Sequence, residues 1–344
     1  MKKLLKAILI TLIAIPFMYL LVIDPSKHNG DFALSDFYLR SSQRMHSTVC
    51  PSDVVILSVD KLSRLEIAEV VEKVDYLGAR SVAMDVFMDF STPDDPEVVA
   101  ALSSCEHLIL PSSLTEPFQS PVFCQLPDKT YGYTNLPCAA PGGIIRSFSI
   151  REGNDVSFAA AACGKAEGKD GIIRYDGYDF DILYPEDIKR ESVAGKIVFV
   201  GNLNDFSDSH PTPAGTLPGV LIHAYVCQTI LDGSTPRECP GWLLFLIAFL
   251  IGTGMLWCKM RIAAFDGSIA SLTIRIGQLV LLLVFYLVGV AFLVYKGLYV
   301  DFSLSFLMIA ACMLVADIIK GITAIIRLVK NKRELQSSTK TTLS

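Results

Sequence analysis

Two aspartates follow apolar runs that are typical of buried strands. Asp60 ends the run DVVILSVD at 53–60, and Asp85 lies in the run SVAMDVF at 81–87. Because both aspartates come at the ends of predicted strands, both carboxylates are expected at the carboxyl edge of the sheet. This is the edge at which open α/β sheets bind ligands. There they could form the acidic walls of a polar pocket. The alternative is that each aspartate caps the following helix or accepts hydrogen bonds from loop amides.

A polar loop that contains Asp205, Asp208, His210 and Thr212 follows the apolar run KIVFVG at 196–201. The loop after this run could complete the pocket, or it could be a solvated connection. A helix is predicted after Pro218, and His223 lies in its first turns. This histidine could contact a ligand or act as a pH-sensitive switch, or it could hydrogen-bond to the preceding loop and fix it. The candidate ligand-binding residues are Asp60, Asp85, Asp208, Thr212 and His223.

Sequence motifs for catalysis and for metal binding are missing. The sequence contains no G-x-S-x-G, no P-loop, no H-E-x-x-H and no G-x-G-x-x-G. His223 and Cys227 form the only pair with metal-like i,i+4 spacing, and one pair alone is a weak signal. We therefore expect no catalytic residues, no metal ion, no cofactor and no enzymatic activity.

The elements that position these residues follow from the apolar pattern. Ser63 can cap a helix between the two aspartate-bearing runs, and Gly78 can end it. The two runs and this helix form a βαβ unit, so the strands should be parallel. Further elements are predicted as strands at 107–113 and 196–201, as helices at 95–104, from Ser157 and from Gly219, and as a loop at 116–146. This order predicts an α/β layered domain with a mostly parallel sheet.

Composition adds membrane spans to this domain. The chain of 344 residues is 51% hydrophobic with a mean hydropathy of +0.45, yet 19% of its residues are charged. Four apolar runs approach the ~20 residues that cross a bilayer, one before the domain and three after it, at 4–23, 241–257, 276–295 and 300–319. The first run could be a signal peptide, but no small-x-small cleavage site follows it, so an uncleaved anchor is expected.

Lysine and arginine placement predicts the orientation of the spans. Basic residues precede the first predicted span, separate the second from the third and follow the fourth, whereas the KGLY connection between the third and fourth is nearly neutral. We therefore expect a multi-pass membrane protein with both termini in the cytoplasm. Residues 24–239 should lie outside, in the periplasm or outside the cell, and residues 320–344 should form a basic cytoplasmic tail.

Charge and cysteine usage limit the partners of the outer domain. Residues 24–239 contain 31 acidic and 17 basic side chains, a net charge of −14, whereas the rest of the chain carries +9. An acidic domain argues against nucleic acid as a partner, because phosphate binding needs clustered Lys and Arg. Seven of the nine cysteines lie in this domain. Cys124 and Cys138 could close a loop in an oxidising compartment, or the cysteines could be small buried hydrophobes.

The tail after the fourth predicted span carries an apolar stripe with basic residues between its members, from Ile318 to Val329. It could lie on anionic lipid headgroups, or it could be a short signalling helix that docks onto another protein. The polar segment at 335–344 is predicted to be disordered.

Three segments carry a resemblance to a known family. They are VVILSVDKLSRLEIAEVVEKVDYLGARSVAMDVF at 54–87, GYTNLPCAAPGGIIRSFSI at 132–150 and GKIVFVGNLNDFSDSHPTPAGTLPGVLIHAYVCQTILDG at 195–233. In this order they resemble the type-two CHASE domain, the cyclase/histidine-kinase-associated sensory extracellular domain of bacterial membrane receptors. The third segment is the most specific, and the positions that match the family pattern are Gly195, Gly201, Asp208, Thr212, Pro213, Gly219, His223 and Ala224.

The resemblance implies a sensor of the bacterial inner membrane, with one span before the domain and three after it. Two places depart from the family pattern: KLSRLE replaces a Trp/Pro/Arg-rich turn, and Gly142-Gly143 stands where an Asp-Gly pair is usual. Members usually continue into a kinase or cyclase, whereas this sequence ends about 25 residues after the last predicted span. We therefore expect a separately encoded effector or a homodimer as partner, with an unknown small molecule as ligand. The alternative is a structural or scaffold subunit of an envelope complex that binds no ligand.

Overall fold

The computed structural model describes residues 2–22, 36, 39–41, 50–51, 53–114, 120–137, 143–175, 177–262 and 267–341. Its central feature is a six-stranded sheet in which every neighbouring pair is parallel, in the order β4-β3-β2-β10-β1-β9. The strands of this sheet are β1 Val54–Ser58, β2 Ser81–Asp85, β3 Leu108–Ser112, β4 Thr130–Tyr133, β9 Asp181–Leu183 and β10 Ile197–Gly201.

Four short strand pairs in the described part of the chain form separate two-stranded sheets outside this central sheet. Three pairs are antiparallel, β5–β8, β6–β7 and β11–β12, and one pair is parallel, β13–β14. Their bounds are β5 Ser147–Phe148, β6 Arg151–Glu152, β7 Asp155–Val156, β8 Gly171–Ile172, β11 Ser209–Thr212, β12 Gly215–Pro218, β13 Arg237–Glu238 and β14 Leu298–Tyr299.

Helices cover both faces of the sheet. The domain helices are α2 Arg64–Tyr76, α3 Asp95–Ser104, α4 Phe158–Ala162, α5 Arg190–Val193 and α6 Gly219–Asp232. Alternate residues of the strands point to opposite faces, so Ile56 and Phe199 pack with α4 and α6, whereas Leu57 and Val200 pack with α2 and α3. The predicted α/β layered domain with a mostly parallel sheet is therefore confirmed.

The predicted helix after β1 forms because its first turn supplies its own cap. The Ser63 hydroxyl accepts a hydrogen bond from the Glu66 amide, and the Glu66 carboxylate accepts one from the Ser63 amide, which makes a capping box. The buried residues of α2 are Ile67, Ala68, Val71 and Val74. Val70 and Leu77 are only partly buried and pack against the same hydrophobic cluster.

Two features of the sheet differ from the sequence prediction. β10 lies between β1 and β2, so the predicted βαβ unit has parallel strands that are not neighbours. The segment predicted as a loop contains β4, and β9 was not predicted at all. Both are short edge strands without a clear apolar alternation, and they form by pairing with β3 and β1. Such pairing is a tertiary effect that local sequence does not encode.

Three helices after the domain are long and apolar enough to cross a membrane. They are α7 Gly241–Ile262, residues Leu272–Lys296 of α8 Gly267–Lys296, and residues Ser303–Asn331 of α9 Ser303–Thr341. Their mean hydropathies are 2.0, 2.5 and 2.1. Because α9 continues to Thr341, the prediction of disorder was wrong for residues 335–341.

A first helix, α1 Lys2–Val22, packs against α7 and α9. Small residues on α1, Ala7 and Ala14, allow close approach. The Thr253 hydroxyl of α7 donates a hydrogen bond to the Thr11 hydroxyl at 3.1 Å. This helix lies where the first span was predicted, and its crossing of a membrane stays a prediction.

Candidate functional site

A cavity of about 330 Å³ opens at the carboxyl edge of the sheet, beside the ends of β2 and β4. This is the edge at which open parallel sheets bind ligands. The structure brings together Asp85, Asp208 and His223 from the predicted set in its wall. The other lining residues are Phe87, Thr134, Asn135, Leu136, Gly143, Ile145, His210 and Gly219.

Asp85 is the last residue of β2 and faces the cavity. Burial is the main cause that raises the pKa of its carboxyl group to about 7, and the nearby Asp208 raises it further, while His210 acts in the opposite direction. Among the described residues, no side chain or amide forms a hydrogen bond or an ion pair with this carboxyl group. Asp85 is therefore a carboxyl group at the cavity wall that has no partner in the described part of the chain.

Asp208 is held by two neighbours. Its Oδ1 lies 3.3 Å from Nε2 of His210, and this hydrogen bond raises the pKa of His210, against the opposing effect of burial. Its carboxylate also lies against Gly219, where an added Cβ would come within 2.7 and 2.8 Å of the two oxygens. Gly219 begins α6, so the partial positive charge of the helix N-terminus stabilises the carboxylate.

His223 lies one turn into α6 and is 4% exposed. Its ring meets the Phe158 ring edge-on, with 5.2 Å between centroids. Burial lowers the pKa of His223 to about 4, so the imidazole is neutral at pH 7, although Asp208 acts to raise that pKa. In the part of the chain that the structure describes, the ring has no hydrogen-bond partner. The residue lines the cavity as a neutral imidazole, with one nitrogen as donor and the other as acceptor.

Asp60 lies outside the cavity wall and binds the loop that follows β10. Its carboxylate accepts hydrogen bonds from the Ser58 hydroxyl at 2.7 Å, the Leu203 amide at 3.1 Å, and the amide and side chain of Asn204 at 3.2 and 2.8 Å. Burial opposes ionisation of Asp60, but these hydrogen bonds outweigh it and hold the pKa below its usual value. The amide-binding alternative thus describes where the structure places Asp60.

Thr212 also lies away from the cavity wall. Its hydroxyl donates a hydrogen bond to the Gly215 carbonyl at 2.6 Å and accepts one from the Ala214 amide at 3.1 Å. These two contacts close the turn between β11 and β12. The position of Thr212 therefore fits a turn residue that shapes the hairpin carrying His210.

One wall of the cavity was not predicted from the sequence. Thr134, Asn135 and Leu136 follow β4, and Ile145 comes from the same segment that was predicted as a loop. The signal in the sequence was the short β-favouring run TYGY followed by two polar residues, which repeats the strand-then-polar pattern of Asp60 and Asp85. Its four residues were too few to stand out from the Pro- and Gly-rich surroundings.

Among the described residues, no group of three or more His, Cys, Asp or Glu side chains could hold a metal ion. Cys163 and Cys227 lie together in the buried core beside α4 and α6. Cys138 lies outside the described residues. Cys124 is a free, exposed thiol whose Sγ donates a hydrogen bond to the Pro121 carbonyl at 3.3 Å, so the suggested disulfide between Cys124 and Cys138 is not formed in the structure.

We define the junction as the contacts between the α/β domain and the segments next to the membrane helices. Arg146 donates hydrogen bonds to the Asp36 carboxylate at 2.6 and 2.8 Å. Ser41 and Tyr286 of α8 share a hydrogen bond of 2.6 Å between their hydroxyl oxygens. Ile172 of the domain packs in one cluster with residues of α8 and α9.

The backbone also crosses the junction. The strand β13, in the link from α6 to α7, pairs with β14, in the connection from α8 to α9. The Arg237 amide donates to the Gly297 carbonyl at 2.7 Å, and the Cys239 amide donates to the Tyr299 carbonyl at 2.9 Å. The link that leaves α6 is therefore attached to the membrane helices by main-chain hydrogen bonds.

An α/β domain with a polar cavity at its sheet edge, attached to apolar helices, has the layout of a membrane-associated sensory module. A family model of the CHASE2 domain matches residues 10–257. The chain belongs to the CHASE2 domain family, a family of sensory extracellular domains, as the resemblance predicted. No curated protein and no solved structure matches the chain.

Proposed function

We propose that the chain is a multi-pass bacterial inner-membrane sensor. Its domain at 24–239 lies outside the cytoplasm, binds a small molecule in the cavity and signals through the membrane helices to a separate partner. The observation that carries this proposal is the cavity itself, whose wall holds Asp85 and His223 without hydrogen-bond partners among the described residues. A few polar groups that face a cavity can orient a small molecule, and a ligand with matching groups would bind to them.

The packing of the helices supports both termini lying in the cytoplasm. Lys3 of α1 donates a hydrogen bond to the Met260 carbonyl at the end of α7, at 3.1 Å. Lys259 forms an ion pair with Asp317 of α9 at 2.6 Å. These contacts bring basic segments of three helices to one end of the bundle, as the positive-inside rule requires for a cytoplasmic end.

The position of α6 supports transmission to the membrane. His223 and Gly219 line the cavity at the start of α6, and the end of this helix leads through β13 directly to α7. A ligand that shifts α6 would therefore act on the link whose backbone is bonded to β14. A ligand that binds more tightly when α6 is in one of two positions would shift the protein toward that position, and this shift would be the signal.

A topology experiment tests the placement of the domain. A protease site inserted in the tip of the β6–β7 hairpin, at the exposed Gly153, adds residues where insertions are tolerated. Protease added to spheroplasts should cut this site and leave a second site, fused after residue 344, intact until the cells are lysed. Cleavage in the opposite pattern would reject the outer location of residues 24–239.

A ligand screen followed by hydrogen exchange tests the sensing role. The full-length protein in detergent micelles is heated with single metabolites, and a compound that raises the unfolding midpoint is retained. Bound compound should then change the exchange rates of the Arg237 and Cys239 amides at the junction. A compound that binds without changing these rates would reject transmission by this route. A library without any stabilising compound would favour the scaffold alternative.

Purification from membranes tests the partner. We propose that the chain lies in the lipid bilayer and that its protein partner there is a separately encoded effector or a second copy of this chain. A tagged chain recovered with a stoichiometric second protein, or as a dimer after mild crosslinking, agrees with this proposal. Repeated recovery of a monomer alone would count against it.

A further inference from the structure

The cavity wall offers acceptors on Asp85, Thr134 and Asn135, beside the donors of the Asn135 NH₂ group and the neutral His223 ring. The Thr134 hydroxyl donates a hydrogen bond to the Ser112 carbonyl at 3.3 Å, which leaves its oxygen free to accept one from a ligand. The Asn135 side-chain oxygen accepts from the Leu114 amide at 2.8 Å and keeps a second lone pair. Together with the Asp85 carboxyl group, these atoms favour a ligand that donates several hydrogen bonds.

The charges of the residues that line the cavity favour a positively charged ligand. Asp208 already has the start of α6 and His210 beside it, whereas Asp85 has neither a hydrogen bond nor an ion pair among the described residues. A carboxylate or phosphate ligand would lie close to both aspartates and would be repelled. A positive ligand would relieve the repulsion between the two carboxyl groups, because opposite charges stabilise each other in a site of low dielectric.

We infer that the cavity binds a small organic cation carrying a primary ammonium group, with the Asp85 carboxylate as its counter-charge. This inference deepens the proposed function and rests on it. An ammonium group has three donors and no acceptor, which suits Asp85, Thr134 and Asn135. The described residues hold no cluster able to bind a metal cation, which favours an organic one. The cavity volume lies at the lower end of the ~300–1,000 Å³ typical of small-molecule sites.

Burial and electrostatics make the binding depend on pH. The pKa of Asp85 is raised to about 7, so part of this group is protonated at neutral pH. A cation stabilises the ionised form, so its binding releases a proton and strengthens as the pH rises through 7. The other titratable groups that line the cavity are Asp208, His210 and His223. Of these, His223 is neutral across this range because burial lowers its pKa to about 4.

Three water-soluble probes of nearly equal size test the charge of the ligand: ethanolamine, ethylene glycol and glycolate. The full-length protein in detergent micelles is heated with each probe at about pH 6 and about pH 8. Ethanolamine should raise the unfolding midpoint, by roughly 3–6 °C at about ten times its Kd. The rise should be larger at the higher pH. Ethylene glycol and glycolate should give no rise.

Two matched variants locate the effect. Asp85→Asn removes the charge, keeps the shape, and should abolish the rise with ethanolamine. Asp85→Glu keeps the charge and should retain part of it. Asp89→Asn, at an exposed position four residues further on, should behave as the wild type. This control separates binding at the cavity from general attraction of a cation to an acidic domain.

The outcomes distinguish this inference from the proposed function. If glycolate or ethylene glycol stabilises the protein and ethanolamine does not, the cation is rejected while a binding cavity remains. A rise with ethanolamine that survives in Asp85→Asn rejects Asp85 as the counter-charge. No rise with any probe up to the limit of solubility rejects the ammonium class. The proposed function is then decided by the metabolite screen and by hydrogen exchange at the junction.

Discussion

The Arg146 guanidinium and the Asp36 carboxylate form a bidentate ion pair, with Nε to Oδ1 at 2.6 Å and Nη2 to Oδ2 at 2.8 Å. Asp36 is 4% exposed, and the Arg146 side chain is 18% exposed. The two residues are 110 positions apart, one near the first helix and one in the middle of the domain. The pair therefore joins the domain to the segment that precedes it.

Replacing Arg146 tests this ion pair. Arg146→Ala should destabilise the protein by about 2–3 kcal/mol, because it leaves a buried carboxylate without its counter-charge. Arg146→Lys should recover only part of the loss, since lysine cannot form the bidentate contact. Chemical denaturation of the full-length protein measures both. Arg151→Ala, on the exposed strand β6, is the control, and equal stability of Arg146→Ala and this control would contradict the prediction.

Asp85→Asn should change the dependence of stability on pH. The pKa of an aspartate in an unfolded chain is 3.8, and burial raises the pKa of Asp85 to about 7 in the folded protein. The folded state therefore binds the proton more tightly, and this contribution is complete below about pH 4 and is lost as the pH rises through 7. Asparagine stays neutral, so the variant should gain on the order of 2–4 kcal/mol over the wild type at about pH 8.

Unfolding midpoints between about pH 5 and pH 8 check this prediction. The wild type should lose stability toward the higher pH relative to Asp85→Asn. Asp89→Asn should follow the wild type, because Asp89 is exposed. Parallel profiles for the wild type and Asp85→Asn would show that the folded protein does not hold the proton on Asp85.

His223→Gln should reveal a pH dependence of the opposite sign. Burial lowers the pKa of His223 from 6.5 to about 4. The unfolded state then binds the proton more tightly, so the stability contributed by His223 is present above pH 6.5 and is lost as the pH falls through 4. Below about pH 6.5 the variant should resist acid better than the wild type in thermal unfolding.

The double variant Asp85→Asn/His223→Gln is the control for both residues. Between pH 4 and 6.5 the two groups act in opposite directions, because one pKa is raised and the other lowered. The two single variants should slope in opposite directions in this range, whereas the wild type, in which the two contributions cancel, and the double variant should both have nearly flat profiles. A steeper profile would mean that another group governs the response.

The sequence was a good guide where one short segment determines the structure. Ser63 with Glu66 specifies the start of α2, and the buried runs specify β1, β2, β3 and β10. Strand ends also pointed to Asp85 and Asp208, because carboxyl ends of parallel strands meet at one edge. The order of the strands could not be read in this way. Insertion of β10 between β1 and β2 separates Asp60 from Asp85, and it gives Asp60 the loop amides of Leu203 and Asn204 as partners.

Asp60→Asn should therefore weaken the fold. One oxygen of Asp60 accepts from two amides, and the other accepts from Ser58 and Asn204. An asparagine presents an NH₂ group to one of these donor pairs, which should cost about 1–3 kcal/mol. Thermal unfolding measures the loss, with Asp94→Asn as the control because Asp94 makes no side-chain cap bond. Stability equal to that of Asp94→Asn would contradict the assigned contacts.

Gly252 and Gly254 provide a matched pair for the packing of the membrane helices. A Cβ on Gly252 would lie 2.8 Å from Met308 Cγ and 3.2 Å from Cys312 Sγ, whereas a Cβ on Gly254 would meet nothing within 4 Å. Small residues permit close helix contact in a bilayer, where packing replaces the hydrophobic effect as the main attraction. Gly252→Leu should therefore separate α7 from α9, and Gly254→Leu should be tolerated. Disulfide crosslinking of cysteines placed on facing positions of these two helices measures the separation. Crosslinking should fall several-fold in Gly252→Leu alone, and equal yields in both variants would contradict the close contact of α7 with α9.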